Sequence, residues 1–319
     1  MVWNLFSLLK KRLLAHLSSA AFSDINNDGH EDVLITGANA FDVRIAALYI
    51  NDGNGNFTEM QGNLFDGVWL SSVAFSDVNG DDFEDVLFTG NNIGNVPTAT
   101  LYINDGSGNF TQMMNTPFDG VSSSSVAFAD VNGDDTNDVI ISGQDDNRQE
   151  IAKLYTNDGS GNFTEMMNTP FEGVWASSVI FTDIDNNDTQ DVLITGRNSA
   201  NSQTARLYTN DGDGNFTEVQ GTPFIGVWSS SLAISDTDGD GDDDILISGQ
   251  NNIGDPITFL YNNEGSGNFI RSFIFEETWA GAATFADING DGSEDLLITG
   301  RNSTAVSYTH LTLPTICSV

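Results

Sequence analysis

The chain has 319 residues, of which 46 are acidic and 10 are basic, so its formal net charge at pH 7 is −36. This charge disfavours nucleic acids and anionic membrane surfaces as partners and favours divalent cations. The content of 39% hydrophobic and 10% aromatic residues is enough for a large core. The sequence contains no run of 18 apolar residues, the length needed to span a membrane. Its single cysteine, Cys317, excludes a disulfide framework.

Residues 1–17 precede the first repeat and do not match it. Their basic residues, Lys10, Lys11 and Arg12, follow an apolar run, whereas those of a signal peptide come before it. We interpret this segment as a non-repeat leader, either a short amphipathic helix or the product of a broken gene start.

A nine-residue acidic frame occurs six times, and its copies are numbered loops 1–6 in chain order. Its first Asp recurs after 53, 53, 53, 53 and 51 residues. Oxygen-bearing side chains at positions 1, 3, 5 and 9 are ligands that Ca²⁺ prefers, and the variable position 7 suits a backbone carbonyl ligand. The predicted metal-loop residues are Asp24, Asn26, Asp28, His30 and Asp32; Asp77, Asn79, Asp81, Phe83 and Asp85; Asp130, Asn132, Asp134, Thr136 and Asp138; Asp183, Asp185, Asn187, Thr189 and Asp191; Asp236, Asp238, Asp240, Asp242 and Asp244; and Asp287, Asn289, Asp291, Ser293 and Asp295.

The residues after the frame exclude an EF-hand. Position 12 is apolar in every copy, as at Ile35 and Phe88, where an EF-hand requires Glu. Clusters of Asp, Asn and Gly also form tight turns without metal, and this alternative stays open for any single copy. Repetition in six copies favours Ca²⁺. We expect the tightest binding in loops 5, 6 and 1, where position 6 is Gly, and the weakest in loop 4, where Asn187 replaces a carboxylate.

Each repeat contains four short β-prone runs separated by turn residues. A second turn, at 104–109 in the second repeat, contains an acidic residue that we expect to shape the turn rather than to bind metal. No segment between Ser18 and Gly300 has a helical apolar period. A period near 50 residues with four strands predicts an all-β protein, a β-propeller of four-stranded blades, with five complete repeats and one partial repeat in residues 18–302.

The last repeat stops short and is followed by a tail, residues 303–319, that contains no acidic residue. This tail resembles translated vector sequence more than a blade, so we leave it out of functional reasoning. Its β-prone composition would still allow it to pair with a sheet edge.

The run Ala-Phe-x-Asp-x-Asn-x-Asp-Gly-x-x-Asp-Val-Leu-Ile-Thr-Gly, followed by Leu-Tyr-x-Asn-Asp-Gly-x-Gly-Asn-Phe, resembles the FG-GAP/VCBS repeat family. That family includes the integrin-α propeller and many secreted bacterial proteins. The resemblance covers about residues 18–302 and implies a Ca²⁺-binding propeller, commonly seven-bladed, of which this chain would be a fragment. It also implies that the metal loops join strands A and B of each blade, whereas the B–C and D–A loops on the opposite face recognise ligands.

Four repeats have a Trp eight residues before the first Asp of the loop: Trp69, Trp175, Trp228 and Trp279. This position lies at the start of strand A, far from the metal loop. Two interpretations stay open. The indoles pack between blades, or they form a ligand platform together with polar residues of the variable B–C loops, such as Arg197.

The function that we expect is adhesion or ligand recognition by an extracellular or cell-surface protein with Ca²⁺ as its cofactor. Calcium loops of extracellular modules bind at about 10⁻⁴–10⁻³ M, a range suited to the cell exterior. The alternatives are a carbohydrate-binding, lectin-like propeller and a passive spacer in a larger surface protein. We do not expect an enzyme, because His30 is the only histidine of the repeats and no nucleophile–base pair stands out.

Overall fold

A computed structural model describes residues 16–39, 41–62, 65–275, 277–288, 290, 292–301 and 307–312. The regular secondary structure in this part of the chain consists of β-strands alone, numbered β1–β23. The prediction of an all-β protein is therefore confirmed. The described part has no helix long and apolar enough to cross a membrane.

The first five repeats each form a blade of four antiparallel strands, A to D, that pair in chain order. Their bounds are β1 (His16–Ser23), β2 (Asp32–Ala38), β3 (Arg44–Asn51) and β4 (Phe57–Glu59); β5 (Trp69–Ser76), β6 (Asp85–Asn91), β7 (Pro97–Asn104) and β8 (Phe110–Gln112); β9 (Ser122–Ala129), β10 (Asp138–Gln144), β11 (Glu150–Asn157) and β12 (Phe163–Glu165); β13 (Val174–Thr182), β14 (Asp191–Asn198), β15 (Gln203–Asn210) and β16 (Phe216–Glu218); and β17 (Trp228–Ser235), β18 (Asp244–Gln250), β19 (Pro256–Asn263) and β20 (Phe269–Ile274).

The sixth blade is partial. Its strands β21 (Ala283–Ala286), β22 (Asp295–Arg301) and β23 (Ser307–Thr312) pair in chain order. Strand β23 comes from the tail and takes the place of a strand C, so part of the tail does pair with a sheet edge. Strand β1 begins two residues before the predicted repeat boundary. The rest of the leader lies outside the described residues, so the choice between a short amphipathic helix and a broken gene start stays open.

The chain separates into two compact units. The first contains Met1–Asp130 and Asp134–Asn168, and therefore blades 1 to 3. The second contains Val131–Gly133 and Thr169–Val319, and therefore blades 4 to 6.

Burial within a blade follows strand position. Strand B is buried on both faces, as in β6, where the first six residues are buried. Strand D is a three-residue edge in blades 1 to 4, and in β8 two of its three residues are exposed. This gradient matches the sequence, because strand B reads as a continuous apolar run and strand D as a short polar one.

Neighbouring blades are joined by side-chain packing. In the first unit, Leu34 and Leu48 of blade 1 share a cluster with Val86 and Phe88 of blade 2. In the second unit, a similar cluster joins blades 4 and 5 around Leu193. The apolar faces of strands A and B are thus buried against the next blade.

A buried Asn at the end of strand C adds a polar link between blades. Asn104 is 1% exposed. Its Nδ2 donates to the carbonyl of Ile25 in loop 1 at 2.8 Å, and its Oδ1 accepts the N–H of Gly106 at 3.1 Å. Equivalent bonds, each across 79 residues, join Asn157 to Val78 at 2.9 Å and Asn263 to Ile184 at 2.9 Å.

Replacing Asn104 with Ala should lower the free energy of unfolding by about 1–3 kcal/mol, because it leaves the buried Ile25 carbonyl without this donor. Urea denaturation followed by tryptophan fluorescence measures the change. Asn147→Ala is the matched control, since Asn147 is exposed. Equal stability of the two variants would show that the bond contributes nothing.

Candidate metal loops and ligand face

The acidic loops fold around the carboxylate at position 1. In loop 5, Oδ1 of Asp236 accepts the N–H groups of Gly239 at 2.7 Å and Asp240 at 3.1 Å, and Oδ2 accepts that of Gly241 at 3.0 Å. In loop 2, Oδ2 of Asp77 likewise accepts the N–H of Asp82 at 2.8 Å. The position-1 Asp therefore shapes the turn through its carboxylate, and its role as a metal ligand stays a prediction.

The carboxylate at position 9 is buried and joins three chain segments. Asp85 has no exposed surface. Its Oδ1 accepts the N–H of Asn104 at the end of strand C at 2.8 Å, and its Oδ2 accepts the N–H of Val78 in the loop at 3.1 Å. The same two bonds recur at Asp191 and Asp244.

Two loops bring three carboxylates together. In loop 5 the ligand atoms of Asp236, Asp238 and Asp240 lie within 4.8 Å of one another, and in loop 4 those of Asp183, Asp185 and Asp191 do so. No other loop in the described residues forms such a carboxylate group, in part because loops 1 to 3 have Asn at position 3. The order of affinity expected from the sequence, with loop 4 weakest, stays a prediction. Asn289 and Asp291 of loop 6 lie outside the described residues.

Two buried carboxylate oxygens fit a bound cation. Oδ1 of Asp185 in loop 4 and Oδ2 of Asp32 in loop 1 are buried and have no hydrogen-bond partner. An unpaired buried carboxylate oxygen is costly, and a cation between the carboxylates would satisfy it. The donor set of carboxylate, amide and carbonyl oxygens is that of a hard cation such as Ca²⁺.

The side chain at position 7 has a packing role that was not predicted from the sequence. It lies against the first glycine of the hairpin turn between strands C and D. A Cβ at Gly53 would stand 2.2 Å from Nε2 of His30, and one at Gly106 would stand 2.3 Å from Cζ of Phe83. The turn glycine is thus required for this contact as well as for its positive φ.

The acidic residue of the second turn serves the turn itself, as expected. Asp105 accepts the N–H of Ser107 at 2.9 Å and the Nδ2 of Asn109 at 2.9 Å. The bond from Asn109 lowers the pKa of this exposed Asp. Its carboxylate is held by local donors and does not point to a separate metal site.

The strand register places the Trp and the acidic loop at opposite ends of a blade. Trp228 pairs with Gln250 at one end of the β17–β18 pair, and Ser235 pairs with Asp244 at the other. The start of strand A is therefore beside the B–C loop. At about 3.3 Å per residue, Trp228 and Asp236 are separated by about 25 Å.

A β-bulge follows the Trp position in blades 2 to 6. The next residue is in the left-handed region at Leu70 (φ 50°), Ser123 (48°), Ala176 (46°), Ser229 (46°) and Ala280 (51°). The glycine near the end of strand B permits this conformation, because a Cβ at Gly90 would lie 2.8 Å from the carbonyl oxygen of Trp69. Each such residue costs about 1 kcal/mol, and backbone strain of this kind is often kept where it positions functional side chains.

In blades 4 and 5 the bulges place two indoles beside Arg197. Its Cζ lies 5.2 Å from the ring centroid of Trp228 and 5.9 Å from that of Trp175. The two indole centroids are 5.5 Å apart with an edge-to-face angle of 65°. Nε1 of Trp228 donates to Oε1 of Gln250 at 2.9 Å. Both indoles are half-buried, so they contact each other between blades and also present surface to solvent.

Similar Trp–Arg pairs occur elsewhere. Arg44 of blade 1 lies 4.7 Å from the ring of Trp69 of blade 2, and Arg301 lies 5.7 Å from that of Trp279. Of these three arginines, only Arg197 was predicted from the sequence to lie on the ligand face. Cross-strand pairing with the Trp could have pointed to Arg301, since Trp279 and Arg301 form a β-bridge.

Burial raises the pKa of Asp85 to about 7 and that of Asp191 to about 6, against a usual value of 3.8. Hydrogen bonds from backbone N–H groups lower the two pKa values, whereas the charges of neighbouring Asp residues raise them further. Without Ca²⁺, the folded state holds protons that the unfolded state has lost between pH 4 and 7. The contribution of these two carboxyl groups to the free energy of unfolding is therefore fully present below pH 4. It is lost as the pH rises through their pKa values in the folded state.

In chelator, the stability of the native chain should therefore decline relative to Asp85→Asn as pH is raised from 5 to 8. Urea titrations at each pH measure this difference. Asp105→Asn is the control, because its exposed carboxylate has a lowered pKa and is ionised throughout this range. A pH-independent difference for Asp85→Asn would contradict the raised pKa.

The blades define a β-propeller, and solved structures agree. The chain is similar to the Aleuria aurantia lectin in complex with alpha-methyl-L-fucoside (TM-score 0.55, 11% identity, 96% of this chain and 94% of the other). AofleA from Arthrobotrys oligospora gives a TM-score of 0.54 at 11% identity, covering 94% and 84% of the two chains. A rhamnogalacturonan lyase from Bacillus licheniformis gives 0.52 at 13% identity, covering 94% and 58%.

The repeat sequence identifies the family. The FG-GAP-like repeat model matches residues 24–88, 77–141, 130–194, 183–247 and 236–298. The chain belongs to the FG-GAP-like repeat family, as the sequence motifs indicated. A comparison with curated protein sequences finds no match. The Aleuria lectin has a six-bladed fold, and the seven-bladed ring expected for the whole protein stays a prediction.

Proposed function

We propose that the chain is a carbohydrate-binding β-propeller whose sugar ligand contacts the Trp–Arg end of the blades. The Trp175–Arg197–Trp228 cluster carries this proposal. Half-buried indoles offer apolar faces and edges to the C–H groups of a sugar ring, while guanidinium and amide groups donate to its hydroxyls. The propeller lectin bound to alpha-methyl-L-fucoside supports it by analogy of fold.

The loops around this cluster are held in place. Asn252 in the B–C loop of blade 5 exchanges two hydrogen bonds with the backbone of Gln203 in blade 4, at 2.9 and 3.2 Å. Nδ2 of Asn198 donates to Oε1 of Glu172 at 2.9 Å. A preorganised loop loses little conformational entropy on binding, which suits a small rigid ligand such as a sugar.

Protein recognition in adhesion is the second candidate. The tips of three B–C loops expose apolar side chains, with Phe41 88%, Ile93 85% and Ile253 81% exposed. Exposed apolar side chains on projecting loops are typical of protein contacts rather than of sugar contacts. The sugar proposal is preferred because Trp175, Arg197 and Trp228 converge at one place.

We further propose that Ca²⁺ stabilises the acidic loops, with residues at positions 1, 3, 5 and 9 and the position-7 carbonyl as ligands. The unpaired oxygen of Asp185 and the carboxylate groups of loops 4 and 5 support this role. The ion would offset carboxylate repulsion and stiffen the A–B connection. An extracellular or cell-surface location follows as part of the same proposal, because millimolar Ca²⁺ would fill such loops. No catalytic role is proposed.

A glycan array tests the sugar proposal. Trp175→Ala and Trp228→Ala should reduce binding at least tenfold, because each removes apolar contact surface and the support of Arg197. Ile253→Ala is the matched control and should leave glycan binding unchanged. If both Trp variants keep their glycan binding and only unfold at a lower temperature, the indoles serve inter-blade packing alone.

Calorimetric titration and thermal melts test the calcium proposal. Asp236→Ala should lose one Ca²⁺ equivalent, whereas Asp211→Ala, in the second turn, should lose none. For a Kd of about 10⁻⁵–10⁻⁴ M, 1 mM Ca²⁺ should add roughly 1.4–2.7 kcal/mol of stability per occupied site. Identical melting temperatures in Ca²⁺ and in chelator would refute the role, and loss of one equivalent by both variants would refute the ligand assignment.

A further inference from the structure

We propose that the ligand of the Trp–Arg cluster carries a carboxylate, as a uronic or sialic acid does, and that the guanidinium of Arg197 binds this group through two parallel hydrogen bonds. The inference rests on the proposed function, since it assigns the chemical class of the sugar bound at that site.

Seven of the 10 basic residues lie in the described part of the chain. Lys153 and Arg206 are each paired with two carboxylates. Three others, Arg44, Arg197 and Arg301, each lie over the ring of a Trp that begins or shortly precedes a strand A. In a chain of net charge −36, basic groups are thus placed repeatedly at the blade end away from the acidic loops.

Arg197 has the hydrogen-bonding groups that an acidic ligand needs. Its Nε donates to the carbonyl of Asn201 at 3.4 Å. Its two terminal nitrogens have no hydrogen-bond partner among the described residues, and no carboxylate pairs with it there. By contrast, the terminal nitrogens of Arg44 donate to Asp42 and Asn95. Arg197 therefore presents an unused pair of donors at the site.

The indoles prepare this group for a carboxylate. The guanidinium lies within 6 Å of both ring centroids, and contact with two indoles restricts its orientation. The edge formed by its two terminal nitrogens is the part without a partner among the described residues. A planar carboxylate matches that edge with two charge-assisted bonds. A neutral sugar hydroxyl would use one donor and leave the charge uncompensated.

The negative charge of the acidic loops does not prevent this interaction. In blade 5 those loops lie about 25 Å from the Trp position along strand A. The screening length at physiological salt is about 8 Å, so the loop charges act only weakly across this distance. Arg197 is the basic residue of the cluster, and the carboxylate of Glu172, which accepts a hydrogen bond from the adjacent Asn198, is already paired with Arg206.

Isothermal titration calorimetry with matched sugars tests the inference. The probes are a galacturonic acid oligosaccharide and its methyl ester, and sialyllactose and lactose, so that the two pairs distinguish a uronic from a sialic source. At least one acid should bind about tenfold or more tightly than its neutral partner. This preference should shrink as NaCl is raised from 50 to 500 mM, because added salt screens the charged pair.

Variants then assign the preference to one residue. Arg197→Gln should abolish it, and Arg197→Lys should retain only part of it, because an ammonium cannot form the two parallel bonds. The control is Arg271→Gln, which changes a basic residue on strand D of blade 5. This variant should still prefer the acidic sugar to its neutral partner. Equal binding of acid and neutral sugar, or an unchanged preference in Arg197→Gln, would overturn the inference and leave the sugar proposal standing. Binding of no glycan on the array or in these titrations would overturn both.

Discussion

The buried carboxylate at position 9 of the acidic frame is the constraint on which each blade depends. Asp85 accepts one N–H from its own loop and one from the end of strand C, so a single side chain fixes the A–B loop, strand B and strand C. A carboxyl group with no exposed surface is costly to ionise, and such donors or a nearby cation lower that cost. The same carboxyl group thus holds the blade together and, in our proposal, contributes a ligand to the metal loop.

Different interactions dominate at the two ends of a blade. At the acidic end, repulsion among carboxylates such as Asp236 and Asp240 is offset by N–H donors and, in our proposal, by Ca²⁺. At the other end the backbone is strained, as at Leu70, and stacked Trp and Arg side chains are half-buried. The strands between the ends are rigid and apolar. A metal ion at one end would therefore affect ligand binding at the other end only through the stiffness of the sheet.

Local repetition made much of the fold predictable. The fixed frame around Asp236 predicted the loops, and apolar runs between turn residues predicted the strands. The features that were missed depend on residues distant in sequence. The bulge at Leu70 requires Gly90 on the next strand, and Arg44 meets Trp69 only when two blades pack. A single sequence names such residues but does not show which of them meet.

The hydrogen bonds from Asn104 and Asn157 each span 79 residues, which is one 53-residue repeat plus the distance from loop to hairpin. Donor and acceptor therefore belong to adjacent copies and occupy the same places in the copies that contain Asn104, Asn157 and Asn263. A gene that gains or loses one whole repeat by recombination brings a new donor together with a new acceptor, and no buried amide is orphaned at the junction. Blade number can therefore change in evolution by whole repeats, whereas an insertion of half a repeat would separate the partners.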